Sequence, residues 1–225
     1  MAEATCWTLI EGAAAGDSAA RTEFTHRYLP VIRAYLHARW KDRLLGDELQ
    51  DAVQEVFVEC LREDGVLARA GSGDRRGFRA YLFGVVRNVA LRVESARVRV
   101  RDAAGQQSFH AEQLPIAEAS LSRIFDRAWA TSLLGEAVQR QSLLARDGGP
   151  GAEKRVELLR LVFQEGRSLA DIARDWNAEP RAIYSEYERA QADFLRALKQ
   201  VVAFHHPGAP ESVGRECREL LAMFR

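Results

Sequence analysis

Little cysteine, little proline and no excess charge of either sign mark this chain. Its 225 residues include three cysteines and six prolines, and 32 basic side chains balance 32 acidic ones. Cys6, Cys60 and Cys217 lie far apart with no C-x-x-C pair, which excludes a disulfide framework and a zinc knuckle and leaves them as small apolar residues expected in a core. No apolar run approaches the roughly 20 residues of a membrane helix. The opening "MAEATCWTLIEG" lacks the basic region, apolar stretch and cleavage site of a signal peptide, so a cytoplasmic protein with no membrane partner is expected. The adjacent His205 and His206 would point about 100° apart on a helix, with no cysteine or carboxylate cluster beside them, and no metal site is expected. The glycines of "ARAGSGDRRG" miss the dinucleotide-binding pattern, because Arg76 stands where the spacing needs glycine and no strand precedes them. With no Ser/His/Asp constellation either, the chain is read as a non-enzyme: no catalytic residue, no metal, no cofactor.

What is present is a segregation of charge. Between Asp47 and Asp64 there are seven acidic residues against one base, Arg62; between Arg79 and Arg101 there are six arginines against one acid, Glu94. Two such blocks in a neutral chain suggest two different partners. Apolar spacing is helical nearly throughout and no alternating strand pattern is found. The expectation is therefore an all-α fold of two small helical domains, 1–102 and 119–203, joined by a flexible linker at 103–118 whose "AAGQQSFHAEQLP" has lost apolar periodicity. A tail, 204–225, can form a final helix with Leu220, Leu221 and Phe224 on one side.

The helix containing "DAVQEVFVECLR" has a greasy face of Val53, Val56, Phe57, Cys60 and Leu61 and another face carrying Asp51, Gln54 and Glu55 at i, i+3, i+4. Carboxylates arranged this way suit a basic partner helix, or they form a solvated face and nothing more. The next helix, "FRAYLFGVVRNVALRVESARVRVR", interleaves Phe78, Tyr81 and Phe83 with arginines. Aromatic faces stack on unpaired bases and arginines track phosphates, so the pattern fits a single-strand platform. It equally fits a core stripe of Tyr81, Leu82, Val85, Val89 and Val93. Arg87 and Asn88 together offer a guanidinium and an amide to a base edge or phosphate.

Further on, Ser168 and Asp171 make a capping-box-like start for a helix whose Leu169, Ile172, Ala173 and Trp176 share one face. Asn177 tolerates the left-handed turn and Pro180 suits the first position of a second helix, with Ile183, Tyr187, Ala190, Phe194 and Leu198 inward. This is the plan of a DNA-reading helix-turn-helix, and also of any two packed helices with a short turn. The outward candidates are Arg181, Tyr184, Ser185, Glu188 and Arg189.

"DAVQEVF" resembles the D-x-V-Q-E-[VT]-F core of the second conserved region of bacterial sigma-70 family factors, and "FRAYLFGVVRNVALR" is similar to the stretch that follows it there. The chain is too short for the other conserved regions, so the class resembled is the extracytoplasmic function (ECF) sigma factors. "CWTLIEGAAAGDSAAR", "FDRAWATSLL" and "VGRECRELLAMF" further resemble an ECF subgroup common in planctomycete-like bacteria.

That resemblance implies a sigma2-like domain followed by a sigma4-like helix-turn-helix domain. Asp51, Gln54 and Glu55 would meet the clamp helices of the polymerase β′ subunit. Arg79, Tyr81, Arg87, Asn88, Arg92, Arg97 and Arg99 would lie at the melted minus-ten element, with the segment from Gly71 to Phe78 helping to capture an unstacked base. Arg181, Tyr184, Ser185, Glu188 and Arg189 would face the minus-thirty-five element. The partners implied are bacterial core RNA polymerase, through its β′ clamp helices and β flap, and promoter DNA, with an anti-sigma protein as a candidate third. The second helix departs from the subgroup, since Tyr184, Gln191 and Asp193 stand where lysine and arginines are usual. Each of these replacements deprives a phosphate of its cation, which should weaken duplex binding and flatten its salt dependence. Two rival expectations remain: a helical regulator that binds polymerase or another protein without initiating, and a stand-alone helix-turn-helix repressor, which predicts a homodimer on a palindromic site.

Overall fold

The computed structural model of the protein describes residues 5–41, 46–61, 77–103, 117–206 and 208–224. Every regular element among them is an α-helix: α1 (Cys6–Ala14), α2 (Ser18–Trp40), α3 (Gly46–Leu61), α4 (Gly77–Ala103), α5 (Glu118–Asp147), α6 (Pro150–Phe163), α7 (Leu169–Asp175), α8 (Pro180–His205) and α9 (Pro210–Ala222). The fold is all-α, as the periodicity requires.

Local chemistry sets the breaks. Gly16 takes φ +94° between α1 and α2, a conformation open to glycine without a Cβ clash. Asp17 then caps α2, its carboxylate accepting from the Ala19 N–H at 2.8 Å and the Ala20 N–H at 3.2 Å. Pro30 lies inside α2 without ending it; Tyr28, Val31, Ile32 and Tyr35 around it are buried, and that packing offsets the lost backbone hydrogen bond. At the other end, Ser168 accepts from the Asp171 N–H at 3.1 Å to start α7. Asn177 supplies the left-handed turn at φ +47°, and Pro180 opens α8.

The chain packs as two units, Met1–Ser132 with Phe204–His206, and Leu133–Ala203 with Pro207–Arg225. The division thus falls inside α5 and not in the expected linker, of which 104–116 lie outside the described residues. The cause is apolar: Leu121, Phe125 and Trp129, spaced by four, are buried in the first unit. Trp129 stacks on Tyr28 at 5.9 Å and Phe125 meets Phe83 at 5.2 Å. His205, far along the chain, completes the same core. Its ring Nδ1 is 3.2 Å from the Tyr28 hydroxyl, and its carbonyl accepts from the Cys6 thiol at 3.4 Å.

The second unit has its own core of Leu158, Leu161, Ile172, Ala173 and Ile183, with Leu169, Trp176 and Tyr187 packed against it. A buried Gln141 amide donates to the Ala190 carbonyl at 3.2 Å. The tail does form a helix, α9, and of the side expected to pack Leu220 is buried and Leu221 half-buried. Val213, Cys217 and Leu220 are buried at i, i+4, i+7, while Phe224, beyond the helix end, is 42% exposed. All three cysteines are free and buried. Burial pushes the Cys6 and Cys60 thiols up to about 12.

Candidate functional site

Ala52, Val53, Val56 and Cys60 fix the inner side of α3 against the first unit's core. That leaves Asp51 and Gln54 exposed, with no hydrogen-bond or ion-pair partner among the described residues. Glu55 shares their face but is engaged within the chain: it lies 3.2 Å from Arg92 Nη2, as Glu59 does at 3.1 Å. One turn before Asp51, Glu48 pairs with Arg97 at 2.5 Å. The acidic block of α3 and the basic block of α4 therefore answer one another. Between them runs an open groove of about 650 Å³, lined by Asp51, Glu55, Val93, Ala96, Arg99 and Val100 among others.

The arginines of α4 divide by face. Arg92 and Arg97 turn to α3, as above. Arg79 and Arg87 turn to α5, Arg79 reaching Asp126 through Nη2 at 2.5 Å and Arg87 reaching Glu118 through Nε at 2.8 Å. Asn88 and Arg99 remain exposed and without a partner among the described residues. Beside this face, Arg39 grips Glu94 with two bonds, Nε to Oε1 at 2.7 Å and Nη2 to Oε2 at 3.0 Å, and Trp40 Nε1 donates to the same Oε1 at 2.9 Å. Arg39 also approaches Glu118 at 3.3 Å.

The aromatics of α4 belong to the core. Phe78 is fully buried and sits 4.8 Å from Tyr28, so it cannot stack on a base without unpacking the unit. The residues before it, 71–76, lie outside those described. Phe83 packs on Tyr35 and Phe125. Tyr81 is half-buried against Phe78, and its hydroxyl is buried with no hydrogen-bond partner among the described residues. Burial raises the pKa of this phenol, with Cys60 and Glu59 nearby adding to the shift. The ring spacing of α4 thus serves packing, while the residues best placed for a ligand are polar.

In the second unit α7 and α8 form the short helix, turn and long helix expected, and Arg181, Tyr184, Ser185, Glu188 and Arg189 are all exposed. Their electrostatics differ from those of a duplex reader. Arg155 holds Asp193 at 2.7 Å and Glu186 at 3.5 Å, Arg189 pairs with the same Glu186 at 2.7 Å, and Arg196 pairs with Asp193 at 3.0 Å. Arg160, Arg167 and Arg174 have carboxylate partners as well, Glu157, Asp175 and Asp171 respectively. Lys154 stands over the Trp176 ring. Of the bases between Pro150 and Lys199, that leaves Arg181 and Lys199 without a carboxylate partner among the described residues.

Glu118, Asp126, Arg39 and Glu94 were not singled out as site residues from the sequence. A signal existed for the first two: Arg79 and Arg87 are eight residues apart, and so are Glu118 and Asp126. Among the described residues no group of three or more His, Cys, Asp or Glu could hold a metal ion, and no helix is long and apolar enough to cross a membrane. No protein-family model, no curated protein and no solved structure matches the chain.

Proposed function

We propose that the protein is an RNA polymerase sigma factor of the ECF class, an adaptor and not a catalyst. In this reading it binds bacterial core polymerase in the cytoplasm and directs promoter recognition and initiation. Asp51, Gln54 and Glu55 meet the β′ clamp helices, and Asn88 and the arginines of α4 meet the melted minus-ten strand. The second unit docks upstream, near the β flap and the minus-thirty-five element. The observation that carries the reading is the outer face of α3, where Asp51 and Gln54 stand exposed and unpartnered among the described residues, on a helix whose other side is locked into a core. An acidic, preorganised helix face of this kind suits a basic helical partner.

A second reading is favoured by one observation in the other unit. Six arginines of the helix-turn-helix unit are held by carboxylates of the same unit, so few cations are left for phosphates. On that reading the protein binds polymerase or another protein without initiating.

Co-elution of the full chain with bacterial core polymerase on size exclusion tests the first claim. Asp51→Lys, at a position with no partner among the described residues, is expected to abolish co-elution while leaving the melting temperature unchanged. Undiminished co-elution of this variant would overturn the assignment of the α3 face.

A further inference from the structure

The ion pairs between α4 and the first turns of α5 step in opposite directions along the two helices. Arg79 meets Asp126 and, eight residues later, Arg87 meets Glu118, eight residues earlier. Eight residues of helix rise about 12 Å, so two guanidiniums and two carboxylates face each other in matching register. Phe83 and Phe125 pack at 5.2 Å between the two ion pairs. Trp129, stacked on Tyr28, anchors α5 one turn further on. The core therefore holds these carboxylates in place over the arginines; they are not stray surface charges.

We propose that Glu118 and Asp126 stand in for nucleic-acid phosphates, occupying Arg79 and Arg87 in the free chain so that a strand binds there only by displacing them. This rests on the reading above, in which α4 faces promoter DNA. The exchange is physically accessible. The Arg87–Glu118 pair lies in water, its side chains 41% and 44% exposed, and a pair so exposed contributes little net stability. A strand brings several phosphates at once and releases counterions from each as it binds. Glu118 divides its charge between Arg87 and Arg39, and Arg39 keeps Glu94 when Glu118 is displaced. The consequence is a threshold: isolated protein holds single strands weakly, and a strand held in place by polymerase outcompetes the carboxylates.

The test is fluorescence anisotropy of a labelled mixed-sequence single-stranded oligodeoxynucleotide with the full chain, across a salt series. Glu118→Gln alone should tighten binding about threefold at low salt. Glu118→Gln with Asp126→Asn should tighten it about tenfold and steepen the salt slope by about 1.4, because two more cations engage phosphates. Adding Arg79→Gln and Arg87→Gln to that pair should remove the gain. Unchanged affinity in Glu118→Gln, with a wild-type melting temperature, overturns the proposal. If the strand binds through Asn88, Arg92 and Arg99 alone, with no gain from the carboxamide variants, the inference fails and the sigma reading stands. If neither strand nor core polymerase binds any form of the protein, the sigma reading fails and the inference with it.

Discussion

Arg92 Nη2 lies 3.2 Å from Glu55 and 3.1 Å from Glu59. A residue proposed to meet polymerase and a residue proposed to meet promoter DNA are thus each other's partner in the free chain. The acidic face of α3 and the basic face of α4 are two sides of one electrostatic seam, continued by Glu48 and Arg97, and the charges paired in it bind one another in the free chain, while Asp51 and Arg99 are without a partner among the described residues.

A charge swap separates these roles. Glu55→Lys should abolish co-elution with core polymerase, and should also lower stability by less than about 1 kcal/mol, because the new ammonium faces Arg92 across a solvated gap. Because Arg92 also meets Glu59, the swap needs both acids reversed: Glu55→Lys and Glu59→Lys with Arg92→Glu restore the intramolecular attraction and the urea midpoint, but not polymerase binding. If the swap restores binding too, Glu55 acts only through Arg92.

Glu94 is the one acid in the basic stretch of α4, and its role is structural. It receives three hydrogen bonds from Arg39 and Trp40, and the Arg39 side chain is only 12% exposed. Glu94→Ala takes two of the guanidinium's bonds, leaving it Tyr35 and Glu118, and leaves the indole N–H without its acceptor, a loss of about 2–3 kcal/mol. Urea unfolding monitored by circular dichroism reads it directly; a change below about 0.5 kcal/mol would contradict this role.

Tyr81 gives the opposite expectation. Its hydroxyl is buried with nothing to bond among the described residues, so Tyr81→Phe removes a polar group that they leave unsatisfied. The variant should be as stable as the wild type or up to about 1 kcal/mol more stable. A clear loss in melting temperature would mean that the hydroxyl does have a partner in solution.

The helices, the cap at Ser168 and the turn at Asn177 were legible in the sequence because they depend on near neighbours: Ser168 caps three residues on, and Pro180 fits a first turn. The inner side of α3 was legible for the same reason, since its apolar spacing repeats within one helix. The partners of the charges were not. Arg79 and Asp126 are 47 residues apart and Arg39 and Glu94 are 55 apart, and no local period reports such pairs. The aromatics of α4 admitted two readings because packing and base stacking use the same rings; burial decides for packing at Phe78, and contacts with the Tyr35 and Phe125 rings favour it at Phe83. That the division between the two units falls inside α5 was not legible, because Phe125 and Trp129 look like any helical stripe until the core they enter is known.

The measurement closest to the central claim is run-off transcription by bacterial core RNA polymerase, with and without this protein, on a promoter library from the organism that encodes it. A sigma factor should produce start sites that appear only when the protein is added and vanish with Asp51→Lys. Binding to core polymerase with no protein-dependent start site would contradict the sigma reading, leaving a regulator that holds polymerase without initiating.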